Sequence, residues 1–347
     1  MRVGIVSPYD LGLPGGVQDQ AIRLSGWLDA LGHESVLVGP GEEGPSGAVL
    51  LGATRLIKAN RAATPIAVNP RITKAVKEAL EDVDVVHIHE PLMPTVGTAA
   101  TSIKTHPTVG TFHADPPRWA RFGYKAGSRI WTKAISRLDV VTTVSHVSGS
   151  AIAPFVSARE IPNGIDVHEY GGQVKVPYRV AFLGRDDERK GLQVLLDAWP
   201  TVLTSIPDAE LIVIGADRDE VVKGVVFMGR LDTPEKNDAL GTAEVFCAPN
   251  LGGESFGIVV AEGMASGCAI VASAIPAFVG VLGESGVLVS PGDPVGLADA
   301  LMSVLSDRSL LERKQGEAIA SVGRFDGRKV AAMYVQAYED AMALHGS

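Results

Sequence analysis

Apolar and polar positions along this chain alternate in blocks. Short apolar runs give way to longer amphipathic stretches, and the pattern repeats from end to end. Arg2–Val6 reads as a buried strand, Val17–Leu31 as an amphipathic helix and Glu34–Val38 as a second strand. The polar helix Ile72–Leu80 leads to strands at Val83–His87, Thr108–Phe112 and Val140–Val144. A second series begins with the strand Arg179–Leu183 and the helix Leu192–Leu203. Strands follow at Glu210–Ile214, Val225–Met228, Val245–Ala248, Ala269–Ala272 and Gly286–Val289. Helices at Pro294–Leu305, Leu310–Ala320 and Lys329–Leu344 close the chain. This β-α-β order predicts an α/β protein of doubly wound parallel sheets. With 347 residues, two cores are expected, since one core stops growing near about 250–300. A polar, Gly-rich stretch from Asn163-Gly164 to about Val176 reads as the linker. The expected domains are 1–170 and 171–328, with the last helix, about 329–347, packing back on the first.

Composition narrows the classes. With 46% hydrophobic and 20% charged residues, the chain has material for two cores and is not disordered. Cys247 and Cys268, both in apolar surroundings, make neither a disulfide framework nor a zinc set. The opening Met1-Arg-Val-Gly-Ile-Val reads as a strand and not a leader. The longest apolar stretch, Ala269–Leu282, is interrupted by Pro276 and falls short of the ~20 residues of a membrane helix. A net charge of −9 argues against a general nucleic-acid binder. Residues 1–170 are neutral, with 16 basic and 16 acidic side chains, so the acidic excess lies wholly in the second half.

Several segments carry candidate chemistry. Pro14-Gly15-Gly16-Val17-Gln18 joins the first strand to a helix, whose free N–H groups suit a phosphate, although an ordinary turn reads the same way. No G-x-G-x-x-G follows either first strand, which disfavours a nicotinamide dehydrogenase. Gly184-Arg185-Asp-Asp-Glu-Arg189-Lys190-Gly191 places cations where a strand meets a helix, as a diphosphate would require. In Gly252-Gly-Glu254-Ser255-Phe-Gly-Ile-Val-Val-Ala-Glu262, Glu254 falls in a glycine-rich loop and Ser255 can cap the following helix. Glu262 then lies about two turns in, roughly 12 Å of rise if every intervening residue is helical. Two carboxylates so spaced can accept hydroxyl hydrogen bonds at separate points of one ligand. His113 follows a buried strand, where a histidine is commonly a packed side chain. His87 and His89 read as structural. No acid or histidine cluster suggests a metal cage, so no metal site is expected. From Pro116 to Leu138 there are six cations, no acid, and the aromatics Trp119, Phe122, Tyr124 and Trp131. Such a segment suits an anionic membrane face, where each cation contributes about 1 kcal/mol, or an ordinary solvated helix.

The string Gly252–Glu262 resembles the signature of retaining glycosyltransferases of family four, which have the GT-B fold. Pro14-Gly-Gly-Val17, Val86-His-Ile-His-Glu-Pro91, Phe112-His113, Ile161-Pro-Asn-Gly-Ile-Asp166 and Phe182-Leu-Gly-Arg185 occur in the same order. The resemblance spans nearly the whole chain. It implies two Rossmann-like domains facing a central cleft. It is strongest toward the members that move mannose from GDP-mannose to the inositol 2-hydroxyl of phosphatidylinositol, peripherally on the inner, cytoplasmic face of the cell membrane. By that resemblance, Gly16 abuts the donor diphosphate, which Arg185 and Lys190 neutralise beside Arg189. Leu231, Asp232, Thr233 and Lys236 lie along the guanine. Glu254, Ser255, Phe256, Gly257 and Ile258 hold the mannose and phosphate, and Glu262 holds the ribose. His113 sits with Glu254 at the reacting centre. Tyr9, Gln18 and Asn60 face the acceptor, and Arg118, Trp119, Arg121, Phe122 and Lys125 meet the membrane. In the loop 58–65, Ala59 and Pro65 stand where tyrosine and arginine are expected. No cofactor is required on this reading, with Mg2+ at most stimulatory. A UDP-sugar or soluble acceptor is the alternative within the family. A non-catalytic nucleotide-sugar or phosphoinositide binding module is the alternative of another class.

Overall fold

The computed structural model describes residues 1–59, 62–67, 71–113 and 128–346. The chain divides into two units, Met1–Gly164 with Gly327–Ser347, and Ile165–Asp326.

In unit 1, strands β1 (Arg2–Val6), β2 (Glu34–Gly39), β3 (Val49–Leu50), β6 (Val85–His89), β7 (Thr108–Phe112), β8 (Val140–Thr143) and β9 (Arg159–Glu160) form one sheet in the order β3-β2-β1-β6-β7-β8-β9. Every pairing in it is parallel. Strands covered on both faces read as continuous apolar runs, and β6 and β7 are buried at every position. The fourth strand of the sheet therefore starts two residues later than the hydropathy suggested, because His87 and His89 are core residues. β4 (Thr54–Ala59) and β5 (Ala62–Ala67) form a separate antiparallel hairpin with Leu56 opposite Pro65. The sequence reads as a loop over 58–65, because Lys58 and Pro65 interrupt the apolar pattern of the two strands.

The helices α1 (Gly16–Ala30), α2 (Ile72–Ala79), α3 (Val96–Thr101), α4 (Ser128–Ile135) and α5 (His146–Ser150) connect these strands. Two buried clusters lie on the sheet. Val76, Leu80, Val86, Ile88, Ala100 and Phe112 belong to one. Val3, Ile5, Leu24, Trp27 and Leu28 belong to the other, with Val330, Tyr334 and Tyr338 of the last helix. Trp27 also dictates where the chain leaves and re-enters. A Cβ on Gly164 would sit 2.6 Å from its ring and one on Gly327 2.0 Å, so only glycine fits at either crossing. Ile165 already bonds within unit 2, its N–H to Phe325 O at 2.9 Å. Residues 165–170 are thus part of that unit, with a short turn at Val167–Glu169.

Unit 2 holds β10 (Val176–Leu183), β11 (Glu210–Ile214), β12 (Val225–Gly229), β13 (Ala243–Ala248), β14 (Ala269–Ser273) and β15 (Gly286–Val289), ordered β12-β11-β10-β13-β14-β15. That is the strand order of a Rossmann sheet, whose ligands bind beyond the strands' carboxyl ends near the central switch point. Its helices are α6 (Leu192–Ser205), α7 (Thr233–Thr242), α8 (Ile258–Ala265), α9 (Pro276–Leu282), α10 (Pro294–Ser306) and α11 (Arg308–Val322). α12 (Gly327–Leu344) returns to unit 1. Trp199, Phe182, Leu211 and Leu301 anchor the core of unit 2. Asp293 and Asp307 cap α10 and α11, each accepting a backbone N–H at 3.0 Å. Both cysteines are buried and unpaired, and burial raises their thiol pKa values, so neither is a ready nucleophile.

Candidate functional site

Two loops at the carboxyl end of the unit 2 sheet come together. After β10, Asp187 shapes a short turn at Glu188–Lys190: its carboxylate accepts from the Arg189 N–H at 3.0 Å and from the guanidinium at 2.8 Å. The Arg189 hydrogen bonds hold the Asp187 carboxyl down at about 2. Arg189 is therefore tied to its own loop. The exposed Arg185 stands at the loop's start, and Arg218 grips Asp186 beside it through two bonds of 2.8 and 3.0 Å. Gly191 (φ +70°) ends the turn, and a Cβ there would lie 2.0 Å from Pro249 O. That close approach, with Leu251 N–H donating to Arg189 O at 2.8 Å, packs this loop on the 249–257 loop. It carries Lys190 Nζ to 2.5 Å from Glu254 Oε1, which also accepts from Asn250 Nδ2 at 3.0 Å. Lys190 and Glu254 are each 19% exposed. The pair presents a cation that suits a phosphate and, beside it, a carboxylate that suits a hydroxyl.

The glycine-rich loop departs from expectation at Ser255. The helix starts at Ile258, so its N-cap is Gly257, with no side-chain cap bond; Ser255 does not cap it. Gly257 has φ +106°, and a Cβ there would meet the Phe278 ring at 2.8 Å. The loop thus places free N–H groups of the first helical turn just after Glu254 and Ser255. Because residues 255–257 are not helical, Glu262 lies four residues into α8, about 6 Å of rise and not 12. Its Oε1 is bonded twice, by Lys236 Nζ at 2.5 Å and by the Tyr170 hydroxyl at 2.8 Å. Lys236 also lies 5.7 Å from the Tyr170 ring centroid. Glu262 is 9% exposed and Lys236 17%. Lys236 is thus the charge partner of Glu262. Asp232 caps α7, accepting from Glu235 N–H at 2.9 Å while Glu235 bonds back, and Leu231 and Thr233 flank it.

In unit 1, α1 opens at Gly16 after an extended Gly15, and an added Cβ on Gly16 would meet nothing within 4 Å. A helix N-terminus with open space beside it can receive an anion. Gln18 is buried, and its amide donates to Asp10 O and Leu13 O, both at 3.4 Å, holding the loop that carries Tyr9. Asp10 is buried too, accepting from Thr54 Oγ1 at 2.7 Å and Gly12 N–H at 3.0 Å.

His113 is buried at the end of β7. Its backbone N–H donates to Glu90 Oε1 at 2.7 Å, and its Nε2 lies 2.7 Å from His89 Nδ1. Glu90 sits at φ +49°, a left-handed geometry in which non-glycine residues are uncommon. His87 and His89 stack at 4.4 Å, and His89 and His113 at 4.9 Å. His87 reaches Tyr338 on α12 through Nδ1 at 2.8 Å and Thr111 through Nε2 at 2.6 Å. Burial is the main cause that lowers all three imidazoles, His87 and His113 to about 3, so the stack is neutral at physiological pH.

Asn60, Arg118, Trp119, Arg121, Phe122 and Lys125 lie outside the described residues. Among the described residues, no group of three or more His, Cys, Asp or Glu side chains is placed to hold a metal ion. No described helix is long and apolar enough to cross a membrane. The structure adds Asn250, Tyr170, Asp187 and His89 to the expected set. Asp187 and Asn250 act locally, Asp187 as an acid immediately before a short polar turn and Asn250 on Glu254 four residues along the same loop; Tyr170 and His89 meet their partners through tertiary contact.

Known proteins match this chain throughout. A family model described as Glycosyltransferase Family 4 covers residues 14–169, and one described as Glycosyl transferases group 1 covers 177–307. The chain is similar to the phosphatidyl-myo-inositol mannosyltransferase of Mycobacterium leprae, 35% identical over 100% of this chain and 98% of the relative. That of Mycolicibacterium smegmatis is 36% identical over 98% of this chain and 94% of the relative. The GDP-mannose:cellobiosyl-diphosphopolyprenol alpha-mannosyltransferase of Xanthomonas campestris is 28% identical over 78% of each. Among solved structures, Anabaena Alr3699/HepE in complex with UDP and glucose superposes with TM-score 0.74 at 18% identity, covering 98% of this chain and 99% of that one. At that identity the likeness is one of fold, and the fold is GT-B.

Proposed function

Because this chain belongs to glycosyltransferase family 4 and is a hexosyltransferase, we propose that it moves mannose from GDP-mannose to the inositol 2-hydroxyl of phosphatidylinositol, with retention of configuration, at a membrane surface. Full-length similarity to relatives that bear that name supports the sugar and the acceptor. The observation that carries the reading is the Lys190–Glu254 contact, which sets a phosphate-binding cation against a hydroxyl-binding carboxylate. Lys190 and Arg185 stabilise the charge that develops on the leaving diphosphate, in the way that fixed charges act on a transition state. Glu254 holds sugar hydroxyls, and Glu262, steadied through Oε1, accepts from the ribose. His113 positions the sugar, Gly16 opens the N-terminus of α1 to the diphosphate, and Tyr9, Gln18 and Asn60 serve the acceptor. The basic, aromatic segment 116–138 attaches the protein to anionic lipid, peripherally on the inner face of the cell membrane.

A panel of GDP- and UDP-sugars tests the reading, each offered with phosphatidylinositol vesicles and with free inositol. Transfer from GDP-mannose to the vesicles is expected. Turnover only with UDP-sugars, or only onto the soluble acceptor, selects the other family member activities. Saturable nucleotide binding with no product from any donor makes the protein a binding module.

A further inference from the structure

His87 and His89 alternate along β6, so both point to one face of the sheet, and His113 follows the adjacent strand β7. Their rings form one pile, with successive centroids 4.4 and 4.9 Å apart and interplanar angles of 25°. Tyr334 and Tyr338 of α12 close it at the His87 end, at 4.7 and 5.6 Å. In a neutral imidazole one nitrogen carries a proton and the other a lone pair. That rule fixes proton positions through the pile. Tyr338 OH is fully buried and its bond is to His87 Nδ1. Donating that bond leaves no orphan hydrogen, so His87 accepts at Nδ1 and gives its own Nε2–H to Thr111 Oγ1.

His89 is constrained more tightly. Its Nε2 is buried with no hydrogen-bond partner among the described residues, while its Nδ1 faces His113 Nε2 at 2.7 Å. In that contact one of the two nitrogens bears the proton. An orphaned buried N–H is rarer in folded proteins than an under-used acceptor, so the bare nitrogen of His89 is Nε2. His89 therefore donates from Nδ1, His113 accepts at Nε2, and the proton of His113 sits on Nδ1. Glu90 completes the grip by holding the His113 backbone N–H at 2.7 Å.

We propose that His89 is a positioning residue that locks His113 as its Nδ1–H tautomer, so that the ring's one N–H lies at Nδ1, on the edge away from His89. The catalytic consequence rests on the reading of His113 as a residue of the reacting centre; the tautomer does not. It follows that His113 supplies a directed hydrogen bond and transfers no proton, and that α12 reaches this residue through Tyr338, His87 and His89.

Asparagine places an amide where the Nδ1 of histidine lies, and glutamine places it near Nε2. His89→Asn can keep the bond to His113, whereas His89→Gln cannot, although both remove the stacked ring. Long-range 1H–15N correlation of the histidines should show wild-type His113 protonated at Nδ1 and bare at Nε2. His89→Asn should keep that pattern and keep kcat within about threefold. His89→Gln should lose it and lower kcat by about ten- to a hundredfold, the scale of a misplaced reacting group, with KM for the sugar nucleotide changed far less. A wild-type His113 protonated at Nε2, or a His113 tautomer unchanged in His89→Gln, overturns the proposal. So does an equal loss of kcat in the two variants. If no donor is turned over, the spectra of the wild type and both variants still decide the tautomer.

Discussion

Lowering the pH from 7.5 to 5.0 should weaken unit 1 far more than unit 2. His87 and His113 have folded pKa values of about 3 against 6.5 for the free side chain, and His89 is also well below 6.5. Below 6.5 the unfolded chain binds protons at these three sites that the folded chain refuses. Stability therefore rises with pH, and the loss runs from about 6.5 down to about 3. One pH unit of this mismatch is worth about 1.36 kcal/mol per group, so at pH 5.0 His87 and His113 each cost about 2 kcal/mol, about 4 together, and His89 adds to the loss in the same direction. That is comparable with the whole stability of many domains, about 5–15 kcal/mol. Unit 2 holds one histidine, His168, which is exposed, and so serves as the internal reference. Urea denaturation read by hydrogen exchange, with peptides from β6 and β7 compared with peptides from β13 and β14 and corrected for intrinsic exchange, resolves the two. Equal stability of β6 and β7 at both pH values, beside an unchanged unit 2, would refute the neutral stack. A charged His89 or His113 by 15N shift at pH 5.0 in the folded protein would do the same.

Three further outcomes follow from the site. Glu254→Ala should lose far more turnover than affinity for GDP, which lacks the sugar; calorimetry showing an equal loss of GDP binding would move Glu254 to the nucleotide or to the fold. Tyr170→Phe removes one of two donors to a buried carboxylate and should cost unit 2 about 1.5–3 kcal/mol by urea denaturation, while weakening GDP more than 2′-deoxy-GDP; identical losses for the two nucleotides would take Glu262 away from the ribose. Reversing Arg118, Arg121 and Lys125 to Glu should abolish sedimentation with anionic vesicles and leave GDP binding intact, and raising the salt should weaken wild-type sedimentation, since such attraction is screened over about 8–10 Å; undiminished sedimentation of the triple variant would make the segment an ordinary solvated one.

Much of the scaffold was legible because parallel strands buried on both faces are written as apolar runs, and the strands of unit 2 lie within three residues of where the sequence places them. The hairpin Thr54–Ala67 was not, since short strands containing Lys58 and Pro65 give no hydrophobic alternation. The helix Thr233–Thr242 has little apolar periodicity, and its sequence mark is the capping-box spacing of Asp232-Thr-Pro-Glu235 at its start. At the site, the glycine-rich signature named Glu254 and Glu262 but not what steadies them. Lys190 and Glu254 are 64 residues apart and Tyr170 and Glu262 are 92, and such pairings arise from the meeting of loops at one sheet edge. His89 read as structural, and what changed its meaning was the 2.7 Å contact with His113 across two strands.

The central claim, retaining transfer of mannose to an inositol lipid, is tested most directly by the product itself. Wild-type protein, GDP-mannose labelled with 13C at the sugar C1 and phosphatidylinositol vesicles should give one labelled lipid. Its one-bond C1–H coupling should identify an α-mannoside, with a three-bond correlation to inositol C2. A β-linked product, a label on any other acceptor atom, or labelled free mannose as the sole product would contradict the account.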